Sequence, residues 1–222
     1  MNDILEQIAM CVENGKINQR SPYPPNLRGE LGADELTLQA LESGVPPSEV
    51  LARGLIAGMG RIGVKFRENK VFVPQVLMSA KAMSGAMIHL KRYFMDGSVR
   101  RKGTLIIGTV EGDMHDIGKN LVGMIAEGNG YEIVDLGVDV SAEKFIDAIR
   151  NHPGAFVGMS ALLTTTMANM EEINRRIKAA FPDVITCVGG APLNEEFARR
   201  IGADYYTDGP QALVEILDNL VA

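Results

Sequence analysis

The alternation that begins after residue 103 constrains this chain more than any single residue does. Five apolar runs, TLIIGTV (104 to 110), YEIVDLG (131 to 137), GAFVGMS (154 to 160), DVITCVGG (183 to 190) and ADYYTD (203 to 208), are each followed by a segment of helical spacing. Those segments cover about 117 to 128, 141 to 151, 165 to 180, 194 to 201 and 210 to 221. A strand that returns parallel to its predecessor needs a crossover helix, so this pattern predicts a parallel sheet covered on both faces. Its size and strand count suit a flavodoxin-like (Rossmann-like) five-stranded α/β domain of order 2-1-3-4-5 better than a six-stranded dinucleotide fold.

The first hundred residues keep a helical period instead. Ile4, Leu5, Ile8, Ala9, Cys11 and Val12 predict a helix over 2 to 14, and a second covers 34 to 44, ending at Gly44. A third starts at Pro46-Pro47, with Val50, Leu51, Leu55, Met59, Ile62 and Phe66 on one face. A fourth begins near Pro74 and runs through Val76, Leu77, Ala80, Met83, Met87, Leu90 and Phe94. Four such helices predict a bundle over residues 1–97, followed by the α/β domain over 98–222. DGSVRRKG (96 to 103) reads as the linker and as a hinge. GKINQRSPYPPNLRGELGA (15 to 33) is polar and rich in Pro and Gly, which predicts a long loop of the functional or mobile kind.

Bulk chemistry removes several classes. A net charge of −6 argues against a phosphate-backbone reader, so no nucleic-acid partner is expected. The N-terminal stretch carries acidic residues and lacks a basic leader, and no window is apolar enough for a membrane span, so a cytoplasmic protein with no membrane partner is expected. Cys11 and Cys187 are far apart and fit neither a disulfide framework nor a zinc site; each reads as a small buried apolar residue. His89 and His152 stand in no motif and read as structural or exposed.

In open α/β sheets ligands bind beyond the carboxyl ends of the strands, at the switch point between strands 1 and 3. The residues that leave the strands there are unusual. The chain leaves strand 1 through Thr109, Val110, Glu111, Gly112, Asp113, Met114, His115, Asp116, Ile117 and Gly118, strand 2 through Gly137, Val138 and Asp139, strand 3 through Ser160, Ala161, Leu162, Leu163 and Thr164 to Thr166, and strand 4 through Gly189, Gly190, Ala191 and Pro192. Hydroxyls and glycines at one rim allow close backbone approach and hydrogen bonding to a large flat or elongated ligand. His115 with Asp113 two residues earlier has the logic of a metal ligand, one ring nitrogen coordinating while the other donates to a carboxylate. One histidine cannot hold a bare zinc, but it can complete a metal whose other positions a macrocycle fills. Plainer readings stand beside these: Gly189-Gly190 as a turn, and Thr164 to Thr166 as a cap for the next helix.

At these residues the chain resembles the cobalamin-binding domain of corrinoid proteins and of cobalamin-dependent methionine synthase. The pattern Asp-x-His-x-x-Gly, Ser-x-Leu, Gly-Gly is present as Asp113, His115 and Gly118, then Ser160 and Leu162, then Gly189 and Gly190. Upstream, Leu55-Ile56-x-Gly58-Met59-x-x-Ile62-Gly63-x-x-Phe66 and Phe72-Val73-Pro74-Gln75 resemble the helical cap of the methyl-carrying members. The resemblance implies cobalamin as cofactor, with His115 as the cobalt ligand and Asp113 as its partner. It implies a slot for the nucleotide tail lined by Ser160, Thr164, Gly189 and Gly190, with Leu162, Ala191, Gly112, Asp116, Ile117 and Gly118 at the same rim. Thr166 matches the position of a serine that completes the relay behind the ligand, and Phe72 or Phe66 would shield the upper cobalt face. The implied role is that of a non-catalytic methyl carrier between a substrate-specific methyltransferase and an acceptor methyltransferase using tetrahydrofolate or a thiol, with a reductive activase as a further partner. The alternatives are a cobalamin-dependent sensor or regulatory module, the cobalamin subunit of a mutase, and, on the fold alone, a flavin carrier.

Overall fold

The computed structural model describes residues 3–95 and 98–221; Asp96 and Gly97 of the expected linker lie outside the described residues. The chain forms two compact units, Met1–Arg101 with Gly128–Gly130, and Lys102–Glu127 with Tyr131–Ala222.

In the first unit, α1 (Ile4–Glu13) begins where the Asp3 carboxylate accepts the Leu5 amide at 3.1 Å. Next come α2 (Ala33–Glu42), α3 (Pro47–Glu49), a π-helical stretch Val50–Ile56, α4 (Ala57–Arg67) and α5 (Val73–Met95). The backbone stays helical from Pro47 to Arg67, so the expected third helix exists but carries a π turn that its sequence period does not announce. Close packing of α1 on this rod depends on small residues: a Cβ on Gly58 would lie 2.6 Å from the Ala9 carbonyl and 2.7 Å from Val12. Ile8, Val12, Leu55, Met59, Met83 and Leu90 fill the bundle core.

The long polar loop is pinned rather than loose. Its Lys16 is fully buried and donates to the Ser21 carbonyl at 3.1 Å, while the Glu35 carboxylate accepts the Gln19 amide at 2.9 Å and the Gly32 amide at 2.9 Å. A short 3-10 turn, Pro25–Leu27, interrupts it, and His89 on α5 hydrogen-bonds Asp34 at the start of α2.

In the second unit, β1 (Thr104–Thr109), α6 (Ile117–Gly128), β2 (Glu132–Asp135), α7 (Ala142–Asn151), β3 (Phe156–Ser160), α8 (Met167–Ala180), β4 (Thr186–Gly189), α9 (Glu195–Ile201), β5 (Tyr205–Thr207) and α10 (Pro210–Val221) follow in turn. All strand pairs are parallel and the order is β2-β1-β3-β4-β5, as expected. Residues 105 to 109 of β1 are buried throughout, as a central strand covered on both faces must be. On one face Ile106, Val110, Val157, Met159 and Val188 pack with Phe145 and Ile149 of α7, Met170, Ile173 and Ile177 of α8, and Phe197 of α9. Toward the other, a Cβ on Gly123 of α6 would lie 2.8 Å from Ile107.

Register aligns the strand ends that matter. Thr109 pairs with Ser160, Ser160 with Gly189, and Gly189 with Thr207, forming one row along the carboxyl edge of the sheet.

Candidate functional site

The chain turns away from β1 at Gly112, whose φ of +81° suits glycine, and descends into α6 through His115 and Asp116. Asp113 is fully buried within this turn. Its Oδ1 accepts the His115 amide at 3.1 Å and faces His115 Nδ1 at 2.8 Å. Its Oδ2 accepts the amides of Leu162 at 2.8 Å and Leu163 at 3.3 Å and lies 2.9 Å from Thr166 Oγ1. The loop after β3 therefore closes over the acid from across the switch point. Burial raises the Asp113 carboxyl, but the donors from Leu162, His115 and Thr166 outweigh it and hold the group well below the usual carboxylate range.

His115 contrasts with its partner: its side chain is 51% exposed while that of Asp113 is wholly enclosed. With Nδ1 facing the ionised carboxylate, that nitrogen carries the proton and Nε2 is the one left for a metal. Among the described residues no three His, Cys, Asp or Glu side chains gather to hold a bare ion.

The sequence allows Thr166 to serve both as a helix cap and as a relay member. It stands at the N-terminus of α8, yet its hydroxyl makes no capping bond; it sits 2.9 Å from both Asp113 Oδ2 and the Leu163 carbonyl. Thr166 thus occupies the N-cap position of α8 with its hydroxyl turned as a donor toward these two acceptors. Thr164 is exposed and opens the 3-10 turn Thr164–Thr166.

The glycines differ sharply in their surroundings. A Cβ on Gly190, at φ +137°, would fall 1.8 Å from the Ala161 carbonyl, so the β4 and β3 loops touch through backbone alone. A Cβ on Gly189 would meet the Thr207 carbonyl and hydroxyl at 3.0 Å. Beside Gly118, in the first turn of α6, nothing lies within 4 Å, and Met114 at 69% and Ile117 at 75% exposure present large apolar surface with Leu162 and Leu163. Ser160 is half-buried at the switch point, and Ala191 and Asp116 are exposed. Phe72 lies in the helical unit just before α5 and is 68% exposed.

The sequence places Asp139 at the rim without its partners, and does not bring Asn169 or Lys119 there at all. Asp139, at φ +53°, accepts the Gly112 amide at 2.8 Å and donates its own amide to the Asp113 carbonyl at 3.0 Å. Asn169 of α8 donates to the Glu111 carbonyl at 2.7 Å. Lys119, nearly buried in α6, lies 2.6 Å from Asp135 at the end of β2. An Asp in the left-handed region after a strand-ending glycine is a faint sequence signal for the first; the other two depend on neighbours distant in sequence.

Comparison with known proteins identifies the family. A family model described as a B12 binding domain matches residues 103–217, and a second model of that description matches 30–91. Dimethylamine corrinoid protein 3 of Methanosarcina acetivorans is 37% identical over 185 residues, which is 81% of this chain and 87% of the relative. Trimethylamine corrinoid protein 2 of Methanosarcina mazei is 39% identical over 178 residues, 78% of this chain and 82% of the relative. The methanol:cobalamin methyltransferase complex MtaBC of Methanosarcina barkeri aligns at a TM-score of 0.82 with 28% identity, over 99% of this chain and 80% of that one. A cobalamin-binding protein from Desulfitobacterium hafniense aligns over the full length of both chains, at a TM-score of 0.75 and 25% identity.

Proposed function

This chain belongs to the B12-binding family, with cobalamin as its cofactor, and from that premise we propose that it is a methyl-carrying corrinoid protein in which His115 would be the protein ligand to the cobalt. It receives the methyl group from a methyltransferase loaded with a small methylated substrate and yields it to a second methyltransferase, with tetrahydrofolate or a thiol as acceptor. A reductive activase would restore the carrier after accidental oxidation. The names of the methylamine relatives and of the methyltransferase complex favour this reading over a sensor or a mutase subunit. Two buried, unpaired cysteines fit a cytoplasmic setting, and among the described residues no helix is long and apolar enough to cross a membrane.

The observation that carries the ligand assignment is the division of labour within one pair: a buried, multiply bonded Asp113 beneath a half-exposed His115. A bound corrinoid supplies a metal able to accept a methyl group and release it. The chain supplies the rest. Asp113 Oδ1 holds the proton on His115 Nδ1 and turns Nε2 outward, which raises the basicity of that nitrogen. The Leu162 and Leu163 amides and the Thr166 hydroxyl keep the carboxylate ionised when water is excluded.

The residues present suit such a macrocycle on physical grounds. Open space beside Gly118 leaves room against α6, and Met114, Ile117, Leu162 and Leu163 offer apolar surface to a large ring system. We assign Gly112, Asp116, Ile117 and Gly118 to the α6 side of the cofactor, and Ser160, Leu162, Thr164, Gly189, Gly190 and Ala191 to the slot for its tail.

Radiolabelled methyl substrate tests the carrier role. With its cognate methyltransferase and reduced cobalamin, the label should co-elute with this protein in stoichiometric amount and chase onto the acceptor when the second enzyme is added. Label that passes to the acceptor without residing on this chain refutes the carrier.

A further inference from the structure

The carbonyl of His115 has no place in a helical ladder. Helix α6 takes its first backbone bond at the Asp116 carbonyl, from the Asn120 amide at 2.7 Å, so the carbonyl one residue earlier needs a donor from elsewhere. That donor is Thr109, the last residue of β1, whose side chain is fully buried and whose hydroxyl reaches the His115 carbonyl at 2.8 Å. The same residue donates its amide to the Gly137 carbonyl at 3.0 Å and accepts the Val140 amide at 3.0 Å. One threonine thus joins the central strand, the loop after β2 and the histidine turn.

Its effect on His115 is specific. Asp113 fixes the His115 amide at 3.1 Å and the ring at 2.8 Å, while Thr109 fixes the carbonyl, so the residue is held at three points. Asp139 and Asn169 brace Gly112, Asp113 and Glu111, and Thr109 holds the ligand residue's own backbone. A side chain that merely filled the strand end could be valine; the hydroxyl is what the carbonyl requires.

We propose that Thr109 is a positioning residue for the cobalt ligand, holding the His115 backbone so that Nε2 stands in its ligating position before a corrinoid arrives. The inference rests on the reading of His115 as that ligand. Without the hydroxyl the carbonyl turns to solvent, the turn between Asp113 and α6 loosens, and the ring loses its fixed approach.

Thr109→Val keeps the volume and removes the donor; Thr109→Ser restores it. In full-length protein reconstituted with cobalamin and reduced to the Co(II) state, electron paramagnetic resonance reports nitrogen coupling from a histidine ligand. Thr109→Val should lower the ratio of histidine-bound to histidine-free cobalt by about tenfold, with cobalamin binding still stoichiometric. In cobalamin-free protein, exchange of the His115 amide should quicken by about tenfold. Thr109→Ser should return both to near the parent values. Should the valine variant not fold, Asp139→Gly, at an exposed position, removes the adjacent brace and should shift both readouts in the same direction and to a lesser degree. The proposal is overturned if the foldable variants keep the parental ligand ratio and amide exchange and lose only thermal stability. If the parent protein shows no histidine nitrogen while Thr109→Val still frees the His115 amide, the ligand assignment itself fails and the ligand-positioning role falls with it.

Discussion

Thr166 Oγ1 stands 2.9 Å from Asp113 Oδ2, joining the start of α8 to the acid beneath His115. Its extra methyl, relative to a serine, lies toward Gly112: a Cβ built there would make ordinary contact with Thr166 Cγ2, at 3.6 Å. Thr166→Ser should therefore keep the hydroxyl contact and cost less than about 1 kcal/mol for the lost methyl. Thr166→Val should cost roughly 1–3 kcal/mol, because it removes a buried donor from a carboxylate. Chemical denaturation of the two variants side by side checks the order.

Two glycines of the rim should respond in opposite ways to a single methyl group. Gly190→Ala meets the Ala161 carbonyl at 1.8 Å and an unfavourable φ, so it should destabilise the α/β unit by about 3 kcal/mol or more, or prevent folding. Gly118→Ala meets nothing within 4 Å in a helical first turn, so the apoprotein should hold or gain up to about 1 kcal/mol. Under the proposed assignment, Gly118→Ala should nonetheless weaken cobalamin binding at least about tenfold, since the methyl would project into the cofactor's space. Melting temperature and cobalamin affinity, measured together, separate the two effects.

Acid should act through Asp113. Its carboxyl lies below the ordinary range in the folded protein, so its stabilising contribution is present at pH above the unfolded value near ~4 and is lost as pH falls through that value toward the folded one. Asp113→Asn lacks this contribution and places an amide among donors. The variant should be less stable than the parent by roughly 2–4 kcal/mol at pH 7, and the gap should narrow as pH is lowered below ~4. Denaturation curves across that interval test the sign; a gap that widens with acid would contradict it.

Both cysteines should be silent to thiol reagents in the native protein. Burial pushes the Cys187 thiol up to about 12 and the Cys11 thiol up to about 11, so neither forms thiolate between pH 7 and ~9. Ellman titration at pH ~8 should find almost no reactive thiol until denaturant is added, and then two per chain.

The sheet is legible in the sequence because strand and helix differ in period and because parallel strands demand crossovers; Leu105 to Thr109 and Val157 to Ser160 declare themselves in this way. The π turn at Val50–Ile56 is not legible, since apolar residues four apart, as at Leu51, Leu55 and Met59, suit an α or a π turn over so short a stretch and no residue type marks it. Lys16 illustrates another limit: a lysine in a polar loop reads as solvated, and only the folded loop brings the Ser21 carbonyl to its buried ammonium. At the rim, the motif residues Asp113, His115, Ser160 and Gly190 stand out by type. Thr109 and Asp139 are placed at the rim only as members of strand-exit segments and Asn169 not at all, because their roles are hydrogen bonds to backbone groups, and any polar residue in a strand end, loop or helix carries the same lettering.

The central claim is that His115 Nε2 ligates cobalt. Electron paramagnetic resonance of the cob(II)alamin form, in protein carrying 15N-labelled histidine, tests it most directly. The account predicts nitrogen splitting that changes from a 14N to a 15N pattern on labelling and disappears in His115→Ala while cobalamin remains bound. Splitting that ignores the label, or that survives unchanged in His115→Ala, would contradict it.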